Sequence, residues 1–147
     1  MKATVQRILD GDRLVAVLIP RDYSGDGIEF FTPLDSSQQM GYMKRPRGYR
    51  IDAHIHKKIA REVNVTQEVL IIRSGRARID FYGADRQYLV SRVLEAGDVV
   101  LLATGGHGLE MLAETEVLEI KQGPYAGADD KVRFPAVAPE DIRLRRE

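Results

Sequence analysis

The strongest constraint on the fold is a two-residue alternation of apolar and polar side chains, repeatedly interrupted by turn residues. Ala77, Ile79 and Phe81 alternate with Arg, Asp and Tyr, and the β-branched run 69–72 precedes a turn at Gly75. Because successive side chains of a strand point to opposite faces, this period predicts half-buried β-strands rather than helices. Further strands are predicted at residues 14–19, 28–31, 49–56, 88–94, 99–102, 109–112 and 117–121.

About eight to ten short strands with turn signals between them are typical of a β-sandwich or β-barrel. Helical patterns are confined to single turns predicted at 33–39 and 139–145. The 147 residues are enough for one ordinary domain. The absence of cysteine excludes disulfides and thiolate zinc sites. The sequence therefore predicts a single all-β domain that folds without a covalent staple.

The distribution of charge is uneven although the formal net charge is zero. Residues 44–92 carry 12 basic and 5 acidic side chains, whereas both flanking segments are acidic overall. A balanced total is unlike that of a uniformly basic nucleic-acid-binding protein, so nucleic acid is not expected as a partner. The basic block has two interpretations that the sequence leaves open, a solvated sheet face or an anion-binding surface.

No apolar run is long enough for a membrane span. The N-terminal run 14–19 has six residues, against about 20 for a transmembrane helix, and acidic residues precede it. We therefore expect no membrane partner and a soluble protein of a reducing compartment, the cytoplasm.

The three histidines form a pattern that suggests metal binding. His54 and His56 share one face if their segment is a strand, which makes them natural neighbouring ligands of a divalent metal. Glu68 opens the next strand, and His107 lies among glycines that let an imidazole be aimed inward. The alternative is that His-x-His is a surface pair and that the remaining histidine is an ordinary core residue.

These residues resemble the two sequence motifs of the cupin family. Gly48, His54-Ile55-His56 and Glu68 with Gly75 follow the order of the first motif. The second motif is matched from Gly97 to His107. The likeness covers residues 48–122, about half of the chain, and is nearest to a group of small single-domain bacterial cupins.

The resemblance implies an all-β, cupin-type double-stranded β-helix, a jelly-roll barrel. Residues 1–47 would supply N-terminal strands, residues 48–122 the barrel core and residues 123–147 a tail that wraps the surface. The resemblance also implies that one divalent transition metal, Fe, Mn, Ni or Zn, is bound by a set of four side chains: His54, His56, Glu68 and His107.

Three departures from the cupin pattern bear on this ligand set. Eleven residues separate His56 from Glu68 where three or four are usual, and Glu62 within them is a rival carboxylate. The second motif is one residue short before His107, and Met111 stands where Asn is usual. Glu68 is preferred because only it has the six-residue spacing to the turn glycine.

Strand parity predicts the surroundings of the pocket. Arg50 and Lys58 would share a face with the histidine pair, and with Arg61 they would form a basic mouth for carboxylate or phosphate groups. Gln122 is a further candidate substrate-binding residue. Glu62 is a candidate general acid/base if it turns inward. The alternative is that the basic insertion is an ordinary solvated loop.

These expectations give one leading function and two alternatives. The leading function is a metal-dependent enzyme, an isomerase for example, that acts on a small anionic molecule with the metal as Lewis acid. The resemblance associates similar proteins with sugar or surface-polysaccharide metabolism. The alternatives are a non-catalytic binding or sensing cupin and an iron-dependent dioxygenase. A homodimer is expected, because small cupins commonly pair through sheet edges and exposed edges need cover.

Overall fold

The protein folds as an all-β structure of three antiparallel sheets. A computed structural model describes residues 2–144. Its ten strands are β1 (Gln6–Asp10), β2 (Arg13–Ile19), β3 (Gly27–Phe30), β4 (Gly41–Lys44), β5 (Glu68–Ser74), β6 (Arg76–Tyr82), β7 (Tyr88–Glu95), β8 (Val99–Leu102), β9 (Gly106–Met111) and β10 (Glu116–Lys121). The all-β prediction is confirmed, and these residues contain no α-helix and only two short 3-10 helices, Gly127–Asp130 and Pro139–Asp141.

Two of the sheets face each other and the third is a hairpin. The larger sheet has the strand order β1-β2-β8-β5-β10, and the smaller has the order β7-β6-β9. Strands β3 and β4 pair only with each other. The three sheets are separate, so the described residues form no closed barrel. Among these residues, no helix combines the length and apolar character needed to cross a bilayer.

The main core lies between the two large sheets. Leu70 and Ile72 of β5 and Val100 of β8 pack against Ile79 and Phe81 of β6. These five side chains are at most 5% exposed. The alternation read from the sequence therefore faces the interior as predicted, and removal of this apolar area from water stabilises the sandwich.

A second apolar cluster covers part of the outer face of the five-stranded sheet. Val17 and Leu101 contact Phe31 and Met40, the first and last residues of the connection between β3 and β4. The cluster explains why the strands of this sheet read as nearly continuous apolar runs: over β2 and β8 both faces are covered.

Strand β6 is more buried than its alternation predicted. Asp80 and Tyr82 are buried although they lie on the face opposite the core. The C-terminal tail covers this face: the Val137 N–H donates to the Tyr82 hydroxyl at 2.9 Å. Asp80 also accepts two hydrogen bonds from the Arg78 guanidinium, at 2.8 and 3.1 Å. Contacts with the tail and within the sheet thus bury the outer face of β6 at Asp80 and Tyr82, while Arg76 stays exposed.

Two local predictions differ from the structure. The segment 49–56, predicted as a strand, has no regular structure and is fully exposed, because it pairs with no other strand of the chain. The helical turn predicted at 33–39 is a series of turns and bends. The turn predicted at 139–145 is realised as the 3-10 helix Pro139–Asp141, and its last residue, Arg145, lies outside the described residues.

The turn between β5 and β6 requires glycine. Gly75 has φ +82°, and a Cβ at this position would lie 2.1 Å from the Glu114 carbonyl oxygen. Gly11, in the turn between β1 and β2, also has a positive φ of +62° but has open space where a Cβ would be. Comparing alanine substitutions at the two positions therefore separates the free-energy cost of the backbone conformation from that of the close contact.

We expect Gly75→Ala to lower the free energy of unfolding by clearly more than Gly11→Ala does. The control should cost about 1–2 kcal/mol, the penalty of the left-handed conformation. Gly75→Ala adds a displacement of the backbone at Glu114. Urea denaturation of both variants measures the difference, and equal losses would contradict the close approach of the β5–β6 turn to residue 114.

Candidate functional site

An open cleft lies where the two large sheets end without joining. Strand β9 is an edge of the three-stranded sheet, and β10 is an edge of the five-stranded sheet. The cleft has a volume of about 860 Å³, and residues of both sheets, of 64–66 and of the C-terminal tail line it. It is larger than two other cavities of the described residues, which have volumes of about 520 and 430 Å³.

A carboxylate and an imidazole meet in this cleft. Glu68 begins β5 and points to the same side as Leu70 and Ile72, because alternate residues share a face. His107 in β9 is paired with the core residue Phe81. The Nε2 atom of His107 lies 3.4 Å from Oε2 of Glu68, and the two side chains are 33% and 12% exposed. The two residues come from different sheets and meet in the cleft.

The contact with Glu68 determines which nitrogen of the His107 imidazole carries the proton. A carboxylate only accepts hydrogen bonds, so Nε2 of His107 carries the proton and Nδ1 holds the lone pair. Burial lowers the pKa of His107 below its ordinary value, while the negative charge of Glu68 opposes this shift and the positive charge of Lys131 adds to it. The ring is therefore neutral at pH 7 and able to accept a proton.

Lys121 extends the pair into a charged cluster. Residue 121 of β10 is paired with Glu68 of β5, which places both side chains on the inner face. The Lys121 ammonium lies 3.5 Å from Glu68 and 3.3 Å from Glu119. Its hydrogen bond with Glu119, together with the charges of Glu68 and Glu119, raises the pKa of Lys121. The cluster brings a cation and an imidazole to the two oxygens of the Glu68 carboxylate.

Two cations on the cleft wall have no ion-pair partner among the described residues. Lys131 and Arg133 line the cleft from the C-terminal tail. The neighbouring Asp130 accepts a hydrogen bond from Thr66, which ties the tail to the start of β5. Unpaired cations at the wall of a cavity favour a ligand with a carboxylate or phosphate group.

The histidine pair predicted as metal ligands lies elsewhere. His54 and His56 belong to an exposed segment, with ring centroids 5.2 Å apart. The His54 Nδ1 lies 2.8 Å from the Asp52 carbonyl oxygen. Because a carbonyl only accepts, this contact requires a proton on Nδ1. The two rings are in edge contact, but the strand on which the prediction of a shared face depended is absent.

The four-ligand metal set does not assemble within one chain. Among residues 2–144, no three His, Asp or Glu side chains are grouped so that they could hold a metal ion. Glu68 and His107 form one half of the set and His54 and His56 the other. The donor types suit a divalent transition metal, but their placement in a single chain does not.

The other residues predicted for the site lie outside the cleft. Arg50, Lys58 and Arg61 are exposed on the segment that carries the histidine pair, and they line none of the described cavities. Glu62 is on the same segment and accepts a hydrogen bond from Asn64 at 3.2 Å. The basic mouth therefore does not form over the Glu68–His107 pair in one chain, because the insertion extends away from the sandwich.

Gln122 lines a second, adjoining cavity of about 520 Å³. It follows Lys121 and points to the opposite face of the sheet. Its side-chain oxygen is buried and has no hydrogen-bond partner among the described residues. A buried acceptor without a partner favours a ligand that donates an N–H or O–H group to it.

The cations of the tail were not predicted from the sequence. Lys131 and Arg133 lie more than 20 residues from His107 along the chain. No local pattern marks their approach to the cleft, because the fold of the tail onto the sandwich brings them there. The only local signal is the Gly123-Pro124 turn, which reverses the chain after β10.

Comparison with known proteins assigns no family. No family model matches the chain, and neither a curated protein nor a solved structure matches it.

We expect the stability of metal-free protein to fall as the pH is lowered below about 6.5, the ordinary pKa of histidine. The unfolded chain takes up a proton there, whereas folded His107 does so only at lower pH because its pKa is lowered. The contribution is therefore complete above pH 6.5 and is lost between that pH and the folded-state pKa.

Urea denaturation between about pH 7.5 and about pH 5.5, with a chelator present, measures this effect. His107→Gln should flatten the dependence. His56→Gln, in the exposed segment, is the matched control and should leave it unchanged. An identical pH profile for the wild-type protein and His107→Gln would contradict the proposed protonation state.

Proposed function

We propose that the protein binds a small molecule with a carboxylate or phosphate group in the cleft, with Glu68 and His107 as the reactive or recognition pair. The observation that carries this proposal is the 3.4 Å contact between a largely buried carboxylate and an imidazole, facing a cavity of about 860 Å³. A concave site with a few converging polar groups and a residue of perturbed pKa is the usual form of a small-molecule site.

Two parts of the cleft would have different roles, one in binding the anionic group and one in proton transfer. Lys131 and Arg133 offer unpaired positive charge for the anionic group of the ligand. His107, neutral at pH 7, is able to take a proton from the bound molecule at Nδ1, and the Glu68 carboxylate would stabilise the imidazolium that forms. Binding alone needs only the first part, so a non-catalytic binding protein is the simplest form of this function.

The cupin jelly roll is the finer version of the fold that we propose. Two antiparallel sheets pack face to face, and the residues at one motif position of each half, Glu68 and His107, meet between them. This meeting of two segments about 40 residues apart is what the resemblance implies and what an unrelated sandwich would not require.

A metal-dependent enzyme on a sugar-derived anion is the second candidate. The observation that favours it is the His54–His56 pair, whose rings lie 5.2 Å apart with a free Nε2 on His54. A bound divalent metal would supply Lewis-acid chemistry, or oxygen chemistry if it were iron. Because one chain does not bring the two halves of the ligand set together, we derive no step through the metal.

A ligand screen tests the binding proposal. We expect sugar phosphates, nucleotide sugars or small carboxylic acids to raise the melting temperature of the wild-type protein. Arg133→Gln should weaken the binding of any such ligand by tenfold or more, because a charge-assisted hydrogen bond contributes about 1.5–3 kcal/mol.

The matched control is Arg73→Gln, which removes an equal charge near the opposite end of β5. It should leave the dissociation constant, measured by titration calorimetry, unchanged. Equal affinities of Arg133→Gln and the wild-type protein, or a panel in which no anion binds, would contradict the proposal.

Elemental analysis separates the two candidates. A metal-dependent protein should be purified with stoichiometric Fe, Mn, Ni or Zn and should lose it in the double variant His54→Ala/His56→Ala. The exposed position of both side chains means that this variant should keep the stability of the wild-type protein. A wild-type protein without bound metal that still binds an anion supports the metal-free form.

A further inference from the structure

A separate concave site lies on the outer face of the five-stranded sheet, the face turned away from the cleft. Its volume is about 430 Å³, and it shares no lining residue with the cleft. Val69 lines it and alternates along β5 with Glu68, which lines the cleft, so the two sites are on opposite faces of one sheet. We call it the outer cavity. Its floor consists of apolar side chains of β2, β8 and β5, namely Ile19, Val99, Leu101 and Val69.

The floor of the outer cavity is incompletely covered. Residues of the connection between β3 and β4 pack on Leu101 and bury it fully. Ile19, Val69 and Val99 are only partly buried, so part of their apolar surface is open to the cavity. A ligand of matching shape removes this area from water, and that burial is a main source of affinity in small-molecule sites.

Aromatic rings form one wall of the outer cavity. Tyr23 and Tyr42 line it, and their rings meet edge to face, with centroids 5.1 Å apart and an interplanar angle of 88°. The Tyr23 ring also meets the buried Phe31 edge to face at 5.6 Å, and its hydroxyl donates a hydrogen bond to Glu29 at 3.0 Å. Because aromatic pairs gain from edge-to-face and offset contacts in addition to area burial, this wall favours an aromatic ligand over an aliphatic one.

A further wall, the connection between β3 and β4, is braced by its own hydrogen bonds. The side-chain nitrogen of Gln39 lies 2.8–3.3 Å from three carbonyl oxygens of the same connection. The side-chain oxygen of Gln39 accepts a hydrogen bond from the Thr32 hydroxyl at 2.9 Å. The Gln38 N–H donates to the side chain of Gln67 at 3.0 Å, which ties the connection to the sandwich. The connection cannot close onto the floor without breaking these bonds, so the outer cavity is preformed.

The lining of the outer cavity offers no unpaired charge. Arg21 is its only charged residue in the described part of the chain, and the guanidinium forms an ion pair with Glu95 at 3.5 Å. The Gln38 side-chain amide also lines the cavity and makes no hydrogen bond within residues 2–144. An apolar cavity with an available amide and no available charge favours a neutral ligand that carries an N–H or O–H group.

We propose that the outer cavity binds a small neutral molecule built on one or two aromatic rings and carrying an N–H or O–H group. The ring lies on Val69 and Val99 of the floor and against Tyr42 of the wall, and the polar group bonds to the amide of Gln38. This site does not depend on the proposed function of the cleft, because it has a different lining and takes a ligand of different charge.

Indole is a suitable probe of the outer cavity, because the protein contains no tryptophan and indole-type fluorescence therefore reports on the ligand alone. We expect the indole emission to shift to shorter wavelength and to saturate at one site per chain. Val99→Phe fills the cavity from its floor and should weaken indole binding by about tenfold or more. Because the new ring occupies an existing cavity, urea denaturation should show a free energy of unfolding no lower than that of the wild-type protein.

Leu118→Phe is the matched control for Val99→Phe. Leu118 is on the same sheet face and 47% exposed, but it lines none of the three cavities. It should leave the affinity for indole unchanged. Tyr42→Ala removes one wall and should weaken indole binding about fivefold, which decides the question if Val99→Phe does not fold. Wild-type affinity for indole in the folded wall or floor variant would overturn the proposal, as would the absence of a saturable shift.

Competition against indole tests the class of ligand with three molecules of similar size. Benzyl alcohol, which is neutral and aromatic, should displace indole. Benzoate is anionic and hexanol is aliphatic, so each should need a concentration at least about fivefold higher. Equal displacement by benzoate or hexanol contradicts the proposed class. Binding of N-acetyl-tryptophanamide without binding of indole would assign the cavity to a side chain of a partner protein and overturn the proposal.

Arg133→Gln, the variant that tests the cleft, should leave the affinity for indole unchanged. Val99→Phe should in turn leave anion binding unchanged, because the outer cavity and the cleft share no lining residue. A loss of indole binding in Arg133→Gln would contradict the separation of the two sites. Anion binding without indole binding overturns the outer cavity alone, and indole binding without anion binding overturns the proposed function alone.

Discussion

The packing of two unequal sheets against each other is the constraint on which the rest of the molecule depends. Phe81 and Ile79 of the three-stranded sheet are fully buried against Leu70, Ile72 and Val100 of the five-stranded sheet. Their burial holds β5 and β6 at a fixed separation and orientation. Glu68 and His107 inherit their positions from these strands, because each is at the end of a ladder whose register the core determines.

The inequality of the sheets creates the cleft. Five strands face three, so the edge strands β9 and β10 do not bond to each other. Inward-facing positions near this gap cannot be filled by core packing alone, and the chain places charged and polar groups there. The Lys121 ammonium, 3.5 Å from Glu68, offsets part of the cost of a partly buried carboxylate. The cleft and the unjoined edges of the two sheets are thus the same feature.

The C-terminal tail packs on the sheets, whereas residues 45–63 do not. The tail closes the outer face of the three-stranded sheet through backbone hydrogen bonds to the hydroxyls of Tyr82 and Tyr88, and it brings Lys131 and Arg133 to the cleft. In residues 45–63 the side chains of Ile51, Ile55 and Ile59 are exposed to solvent.

Local patterning predicted eight of the ten described strands and missed β1 and β4. The alternation around Ile79 and the turn at Gly75 reflect steric and solvation preferences of neighbouring residues, so the sequence alone predicts them. The predicted strand at 49–56 was wrong for this chain, because a strand exists only where a partner edge pairs with it. The histidine pair, the cations of the tail and the burial of Asp80 depend on contacts between residues far apart in the chain. Such contacts depend on how the sheets and the C-terminal tail pack, and the alternation of residues along one strand does not predict them.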